Sequence, residues 1–330
     1  MEDRMSEFQG MIVRPYQLLC AVCAIGEDVP EGIDERIGEI LAAVRTHPDM
    51  PLTLQCNTGD VFAYQDIGTD GDTPEGAEFN IKRDLEILCK LNLFPGATLP
   101  ARIIFNRLLE TIEDLSGICR YGSETSAAWR GCPEADTDHF ARGREKGIDA
   151  IIPPRAERDM KEEKEISLAA MYKTEAIYVR PHILLCAVCQ YGSGTRPPFP
   201  EDNLPELLQL ILKEPDRLIA LAPYADWMMC APCPCRAPTL NGCVNNKGSG
   251  GLPNQMRDLR VLQKLGLTYG ATLKARDLFE RIFTHISGTL EICRIEHSKP
   301  SVWWTGCGAI ATNSEHYEKG RQMLMDKFIE

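Results

Sequence analysis

The sequence lacks the features that mark several large classes of protein. No apolar run approaches the roughly 20 residues that a membrane-spanning helix needs. A net charge of −12 leaves no basic surplus to neutralise nucleic-acid phosphates. The first residues, Met1-Glu-Asp-Arg-Met-Ser-Glu, have neither the basic start nor the apolar core of a secretory signal. We therefore expect a cytoplasmic protein with no nucleic-acid partner and no membrane partner.

Three motifs that are common in enzymes are also missing. The chain has no Gly-x-x-x-x-Gly-Lys-Ser phosphate loop, no Gly-x-Gly-x-x-Gly after a strand and no Gly-x-Ser-x-Gly elbow. Residues 245–251 are glycine-rich, but they follow no strand pattern and are typical of a loop. The sequence therefore contains no nucleotide-binding motif.

Cysteine is the residue that the chain has in excess. The 330 residues are 44% hydrophobic and 25% charged, which is typical of a soluble globular protein with room for two domains. Fourteen cysteines are then unexpected, because disulfide scaffolds belong mainly to small secreted domains. In a reducing cytosol, cysteines at short fixed spacings are more typical of metal ligands.

A long internal repeat organises these cysteines. The segment Val13-Arg-Pro-Tyr-Gln-Leu-Leu-Cys-Ala-Val-Cys23 returns as Val179-Arg-Pro-His-Ile-Leu-Leu-Cys-Ala-Val-Cys189. Further matches occur downstream, among them Trp-x-Gly-Cys and His-aromatic-x-x-Gly-Arg. Repeats of this length indicate a duplicated unit. We predict a first unit over residues 1–150, a linker over 151–176 and a second unit over 177–330, related by a pseudo-twofold. The charged stretch that ends at Lys164 suits either an exposed linker or a short surface helix.

Hydrophobic spacing predicts a helix-rich α+β fold. In the first unit, residues 11–13 and 52–54 are expected to be strands, and Pro15 suits the first turn of a helix that carries Cys20 and Cys23. Helices are expected near residues 32–45, 79–91 and 98–112, with a further helix from about Thr137. The second unit is expected to repeat this order.

Four cysteines recur in each unit. They are Cys20, Cys23, Cys119 and Cys132 in the first unit, and Cys186, Cys189, Cys293 and Cys307 in the second. Four thiolates are the ligand count of one zinc site or one iron–sulfur cluster. Two ligands from one helical turn and two from a later loop would converge only if the chain folds back. Each set is therefore predicted to bind one metal centre that joins the end of its unit to the beginning.

The second unit carries four more thiols in one short stretch. Cys230, Cys233, Cys235 and Cys243 have the spacing Cys-x2-Cys-x-Cys-x7-Cys, with prolines after two of the cysteines. This spacing resembles bacterial ferredoxin runs without reproducing them. We predict a third site here, near the surface, although Cys233 or Cys235 could instead serve the Cys186 site.

The cofactor is predicted to be the 4Fe–4S cluster, up to three per chain, with structural zinc as the alternative. Zinc sites usually join closely spaced ligand pairs, whereas Cys119 and Cys132 are about a dozen residues apart. Four further side chains are candidates for contact with the clusters. Trp129 and Trp304 are expected to shield a cluster from water, Arg236 to offset its negative charge, and His182 either to donate a hydrogen bond or to contact the cofactor.

The second unit resembles a known family. Arg180-Pro-His-Ile-Leu-Leu-Cys186, Cys230-Ala-Pro-Cys-Pro234 and Ile292-Cys293 are similar to the motifs of domain of unknown function 1284. The resemblance covers most of residues 177–330 and extends to the first unit only as a divergent copy, since Tyr16 replaces the histidine and the central cysteines are missing. It implies cluster binding in bacterial or archaeal proteins, and no reaction.

Three functions remain open from the sequence. The first is electron transfer, or service as a cluster-bearing subunit for a partner redox enzyme, in an anaerobe's cytoplasm. The second is catalysis on a small substrate at a cluster with an open coordination position. The third is a zinc-stabilised interaction protein.

Overall fold

The computed structural model describes residues 10–27, 34–57, 73–194, 202–237, 242–244, 251–296 and 311–328. The chain divides into two compact units, Met1–Pro154 and Arg155–Glu330, which we call unit 1 and unit 2. Helices predominate and the sheets are small, so the predicted helix-rich α+β class is confirmed. Among the described residues, no helix is both long and apolar enough to cross a bilayer.

Unit 1 surrounds a three-stranded mixed sheet with helices. The elements in chain order are β1 (Met11–Val13), α1 (Pro15–Gly26), α2 (Glu35–Thr46), β2 (Pro51–Leu54), α3 (Ala77–Leu91), β3 (Thr98–Pro100), α4 (Ala101–Thr111), α5 (His139–Lys146) and α6 (Ile148–Ile151). β1 runs parallel to the central β2, and β3 runs antiparallel to it. The core is formed mainly by the inner faces of the helices packed on this sheet.

Unit 2 contains a similar order of elements with additions, and its described residues include no counterpart of α6. They are α7 (Glu157–Lys173), β4 (Ala176–Val179), α8 (Pro181–Ser193), α9 (Leu204–Lys213), β5 (Leu218–Leu221), β6 (Arg236–Ala237), β7 (Gly242–Cys243), α10 (Leu252–Leu265), β8 (Thr272–Lys274), α11 (Ala275–His285), α12 (Leu290–Cys293) and α13 (Glu315–Phe328). β4 runs parallel to β5, and β8 runs antiparallel to it. The β6–β7 hairpin lies outside this sheet.

Two sequence-based boundaries differ from the structure. Residues 98–100, predicted to begin a helix, form β3, because Leu99 precedes a proline and is disfavoured in helix, and because Thr98 pairs with Thr53 through their hydroxyls at 2.8 Å. Residues 151–176, predicted to be a linker, contain α7. Lys164 in this helix forms an ion pair with Glu206 at 2.9 Å, so the helix packs within unit 2.

Glycine pairs set the closest helix approach in each unit. A Cβ atom on Gly26 of α1 would lie 1.7 Å from the His139 carbonyl oxygen, and one on Gly143 of α5 would lie 2.0 Å from the Val22 carbonyl oxygen. In unit 2, a Cβ atom on Gly192 of α8 would lie 1.8 Å from the His316 carbonyl oxygen. Backbone therefore packs on backbone, which only glycine permits. This contact places the Cys-x-x-Cys helix against α5 in unit 1, and the corresponding contact in unit 2 places it against the helix that contains His316.

A buried arginine–aspartate pair joins the start of the first helix to the third helix in unit 1. Arg14 Nε donates to Asp84 Oδ2 at 2.8 Å, and the backbone N–H of Tyr16 donates to Asp84 Oδ1 at 2.8 Å. Asp84 is fully buried, so its charge must be balanced inside the core. The pair holds the start of α1 against α3.

Unit 2 contains the corresponding pair with one further contact. Arg180 Nε donates to Asp258 Oδ2 at 2.9 Å, and the His182 backbone N–H donates to Asp258 Oδ1 at 3.1 Å. His182 Nδ1 also lies 2.6 Å from Asp258 Oδ1. The start of α8 is thereby held on α10.

Candidate functional site

The four recurring cysteines of unit 1 line one cavity. Cys20 and Cys23 lie on consecutive turns of α1, whereas Cys119 and Cys132 lie in the segment between α4 and α5. All four border a cavity of about 580 Å³. The two ends of the unit therefore meet at this cavity.

A glycine turn brings the two later cysteines together. The Cys132 backbone N–H donates to the Cys119 carbonyl at 2.9 Å. Gly131 precedes Cys132 with φ at 96°, in the left-handed region, and a Cβ atom there would lie 2.8 Å from the same carbonyl. Gly131 is thus required for the approach of Cys132 to Cys119.

Arg83 supplies a buried positive charge beside these thiols. It lines the cavity and is 1% exposed. Its guanidinium lies 4.0 Å from the ring centroid of Tyr16 and 5.0 Å from that of Phe79. It also donates a hydrogen bond to the Cys119 side chain. Among the described residues, Arg83 Nε has no hydrogen-bond partner and no carboxylate forms an ion pair with its guanidinium.

Burial and neighbouring charges shift the pKa values of the unit 1 thiols. Burial raises the pKa of Cys20 to about 12 and that of Cys119 to about 11, and Arg83 opposes both shifts. Burial also raises the pKa of Cys23, and the neighbouring Cys20, Cys119 and Cys132 raise it further. A positive charge entering the cavity would favour the thiolate forms.

The corresponding cysteines of unit 2 are described in part. Cys186 and Cys189 lie on α8, and Cys293 ends α12, while Cys307 lies outside the described residues. Burial raises the pKa of Tyr317, and the nearby Cys189 and Cys293 raise it further, so both thiols lie near this ring. Arg257, which corresponds to Arg83, donates from Nε to the Cys293 carbonyl at 3.2 Å.

The four central cysteines of unit 2 lie within 14 residues of the sequence, and we call the described parts, residues 230–237 and 242–243, the cysteine loop. The Cys233 N–H donates to the Cys230 carbonyl at 3.0 Å, and the Arg236 N–H donates to the Cys233 carbonyl at 3.0 Å. Residues 236–237 then pair with 242–243 in the β6–β7 hairpin, which sets Arg236 opposite Cys243. The thiols are half-buried.

Arginines lie within and beside the cysteine loop. Arg155 donates from one nitrogen to the carbonyls of Ala231 at 2.8 Å and Cys233 at 2.7 Å. The Arg236 guanidinium, predicted to face a cluster, is buried and lies 3.6 Å from Glu163 of α7. Burial raises the pKa of Cys230, Asp226 raises it further, and the positive charge of Arg180 opposes the shift.

Asp226 shapes the segment before the cysteine loop. Its Oδ1 accepts from the backbone N–H groups of Met228 at 2.7 Å and Met229 at 2.6 Å. Its Oδ2 is buried and has no hydrogen-bond partner among the described residues. The turn that presents Cys230 is therefore held by a rigid buried carboxylate.

The remaining predicted contact residues lie apart from the thiols or outside the described ranges. Trp129 is half-buried and packs edge-on against Tyr121, with ring centroids 6.3 Å apart, and it is outside the described lining of the unit 1 cavity. Trp304 lies outside the described residues. His182 is buried against Asp258, and burial lowers its pKa although Asp258 acts to raise it. These positions make His182 a structural hydrogen-bonding residue in unit 2.

No single-ion site is formed by the described residues. Within the described ranges, no group of three or more His, Cys, Asp or Glu side chains is arranged to hold one metal ion. In unit 1, Cys20, Cys23, Cys119 and Cys132 are free thiols.

Arg83 is the site residue that sequence reasoning missed in unit 1. A signal was present, because Arg83-Asp84-Leu85 recurs as Arg257-Asp258-Leu259. Adjacent charged residues that recur on a helix face are expected to be solvated unless a buried partner is known. Asp226 and Arg155 have no counterpart in the repeat, so no comparable signal marked them.

Comparison with known proteins adds no assignment. The chain matches no protein-family model, no curated protein and no solved structure. The resemblance to domain of unknown function 1284 therefore stays a prediction.

Proposed function

We propose that this chain is an iron–sulfur protein that carries up to three 4Fe–4S clusters and transfers electrons to or from a partner protein. The observation that supports this most is the unit 1 cavity, where four free thiols surround the buried Arg83 guanidinium. The proposal extends to the Cys186 set and to the cysteine loop of unit 2.

The charge of Arg83 favours an anionic group in the cavity. A buried guanidinium without a carboxylate partner is costly, because its hydration is lost and no counter-charge replaces it. A cluster held by four thiolates supplies that negative charge. The residues present therefore fit such a group, with Cys20, Cys23, Cys119 and Cys132 as its ligands.

The size of the unit 1 cavity favours a cluster over zinc. A tetrahedral zinc site needs only four sulfurs at about 2.3 Å from one ion. The cavity bordered by the thiols measures about 580 Å³. A group larger than one ion suits this space.

The protein's own residues would tune the bound cluster. A 4Fe–4S cluster supplies one-electron transfer when bound. Arg83 donates a hydrogen bond at Cys119, and donors to ligand sulfur stabilise the more negative, reduced state. Buried apolar residues such as Leu19 and Leu115 border the same cavity and limit access of water.

We also propose that the two units descend from one duplicated unit related to domain of unknown function 1284. The two sheets have the same strand order and the same parallel and antiparallel pairing. The Gly96 N–H donates to the Leu54 carbonyl at 2.7 Å, and the corresponding Gly270 N–H donates to the Leu221 carbonyl at 2.8 Å. The partner is expected to present a basic docking face, since the net charge is −12.

The test is metal analysis of protein purified without oxygen, with a matched pair of variants. Cys119→Ala should lose about one third of the iron and acid-labile sulfide, as expected when one of three clusters is lost. Cys89→Ser is the control, because Cys89 is exposed on α3 and has no counterpart in unit 2. Stoichiometric zinc without sulfide, or no metal at all, would contradict the proposal.

A second candidate function is catalysis on a small substrate in the unit 1 cavity. It is favoured by one observation, which is that the cavity extends past the thiols to Arg36, Thr73 and Glu27. Its volume lies in the usual range of ligand pockets, about 300–1,000 Å³. Perturbation of the cluster's electron paramagnetic resonance (EPR) signal by a small anion such as acetate, absent in Arg36→Ala, would support it.

A further inference from the structure

Two thiols of the cysteine loop lie within hydrogen-bonding reach of each other. The side chains of Cys233 and Cys235 are hydrogen-bonded, and only Pro234 separates the two residues in the sequence. Both cysteines keep part of their surface in contact with solvent. The pair therefore combines close sulfur atoms with access for a small reagent.

A turn in the backbone holds the two cysteines in this arrangement. The Arg236 N–H donates to the Cys233 carbonyl at 3.0 Å, which closes a four-residue turn with Pro234 at its second position. Proline is favoured at this position because its ring presets the backbone angle φ at about −65°. The approach of the two thiols is thus built into the main chain.

Hydrogen bonds from outside the turn anchor both cysteines. The Val244 N–H donates to the Cys235 carbonyl at 2.8 Å, and Arg155 donates to the Cys233 carbonyl at 2.7 Å. Arg155 also brings a positive charge beside Cys233, and a nearby positive charge favours the reactive thiolate form of a cysteine. The described contacts therefore fix the pair without a metal ion.

The Cys-x-x-Cys pair of α1 has a different geometry. Cys20 and Cys23 lie three residues apart within a 12-residue helix. At that spacing two Cβ atoms are about 5–6 Å apart, whereas a disulfide needs about 3.5–4.5 Å. A bridge between these two cysteines would require α1 to unwind locally, so they form an internal comparison for the loop pair.

We propose that Cys233 and Cys235 form a reversible dithiol–disulfide pair that exchanges with low-molecular-weight disulfides such as oxidised glutathione. This activity goes beyond the proposed function, because it needs no bound cluster. A disulfide that spans one residue closes a small, strained ring, and strained disulfides are readily reduced. The pair is therefore suited to exchange rather than to permanent crosslinking.

The exchange has two steps. The thiolate of one cysteine attacks the small disulfide, which forms a mixed disulfide and releases one small thiol. The second cysteine then attacks the mixed disulfide, which closes the Cys233–Cys235 bond and releases the second small thiol. Two electrons pass from the protein to the small disulfide, and the protons of the two cysteines leave with the two released thiols.

Differential alkylation and mass spectrometry of the full chain test this exchange. Metal is first removed with EDTA and dithiothreitol until the thiols of the cysteine loop alkylate completely. The chain is then equilibrated in buffers with a rising proportion of oxidised glutathione. We expect an intramolecular disulfide in the loop at a ratio of oxidised to reduced glutathione at least about tenfold lower than the ratio that oxidises Cys20 and Cys23.

Single variants assign the pair. Cys235→Ser should lower the yield of the loop disulfide by at least about tenfold and leave glutathione attached to Cys233, because the resolving thiol is missing. Cys230→Ser is the matched control and should keep the disulfide. Circular dichroism checks that each variant is folded, and Cys235→Ala replaces Cys235→Ser if the latter does not fold.

Two results would overturn the inference. One is a loop that stays reduced at the glutathione ratio that oxidises Cys20 and Cys23. The other is a change of pairing, seen as an undiminished disulfide in Cys235→Ser or as its loss in Cys230→Ser. Wild-type protein purified without iron would overturn the proposed function and leave this inference standing.

Discussion

The two units share a framework and differ in the segment after their second strand. In both, an arginine before the Cys-x-x-Cys helix is paired with an aspartate, Asp84 on α3 or Asp258 on α10, and a glycine of the Cys-x-x-Cys helix packs against α5 or α13. After β5, unit 2 adds the cysteine loop, which is held by Arg155 and faces α7. The difference indicates that the framework positions the recurring cysteines, while the cysteine loop brings four more cysteines to unit 2.

The corresponding aspartates of the two units, Asp84 and Asp258, differ in their surroundings. Burial acts to raise the pKa of both carboxyl groups. For Asp84 burial prevails over Arg14, and its pKa rises to about 6. For Asp258, His182 and Arg180 together outweigh burial and lower the pKa. The added histidine therefore makes the unit 2 pair the more strongly ionised of the two.

Removing these aspartates should have the largest effect. We expect Asp84→Ala and Asp258→Ala each to lower the free energy of unfolding of the affected unit by about 3–5 kcal/mol, because a buried arginine is left without its partner. Asp258→Ala should cost more, since Asp258 also accepts from His182. Hydrogen exchange of α1 and α8 under increasing urea would measure this. Asp159→Ala is the control, because Asp159 is exposed. Equal small effects at all three positions would contradict a stabilising role of the two buried ion pairs.

Substitutions at the glycines of the close helix contacts should have the next largest effect on stability. Gly26→Ala and Gly192→Ala should each cost about 1–3 kcal/mol, because the new methyl group forces backbone from backbone. Gly38→Ala is the control, since a Cβ atom there meets nothing within 4 Å in the middle of α2. It should stabilise by about 0.5–1 kcal/mol. Denaturation midpoints of the three variants compare their stabilities. A Gly192→Ala variant as stable as the wild type would show that the helix contacts of the two units are not equivalent.

The His182→Tyr exchange converts the unit 2 pair to the unit 1 form. Near pH 7 it should cost about 2 kcal/mol, the loss of a hydrogen bond to a charged group. The folded-state pKa values of His182 and Asp258 are both lowered, so both contribute stability that is lost as pH falls. The difference in the free energy of unfolding between wild type and variant should therefore disappear as the pH falls from about 6.5 to about 3. Unfolding curves across this range check it, and a gap that widens on acidification would contradict the assignment.

Cys233→Ser should have the smallest effect on folding. Unit 1 has the shared framework without these thiols, so the variant should lose about one third of the iron and change the free energy of unfolding by less than about 1 kcal/mol. Cys119→Ala should instead loosen unit 1, because its site joins both ends of that unit. Iron analysis and urea unfolding curves on the same samples compare the metal content and the stability of the two variants. Unfolding of Cys233→Ser would show that the loop belongs to the framework.

Sequence periodicity and repetition predicted much of the fold. Pro15 and Pro181 mark the starts of α1 and α8, and the strands at 11–13 and 52–54 are predictable from short apolar runs. The gathering of Cys20, Cys23, Cys119 and Cys132 was predictable because all four recur. Metal ligation at these thiols stays a prediction.

Other parts of the site depend on contacts between distant segments. Arg83 is typical of a surface charge in the sequence, and only the packing of Tyr16 and Phe79 on its guanidinium shows that it is buried. The charged run in α7 is likewise typical of a linker, because its few inward residues, such as Ser167 and Met171, are too sparse to form an apolar stripe. Non-repeated residues such as Asp226 offer no internal comparison at all.

The contact of Arg155 with the cysteine loop has a practical consequence for dissecting the protein. The sequence repeat begins near Ile177, yet the groups that hold the loop begin 22 residues earlier, at Arg155. A fragment cut at the repeat boundary would lose Arg155, the Glu163 partner of Arg236 and the Lys164 contact with Glu206. The boundary of the sequence repeat therefore differs from the boundary of the contacts that hold the loop. A fragment meant to retain an intact loop has to start at or before Arg155.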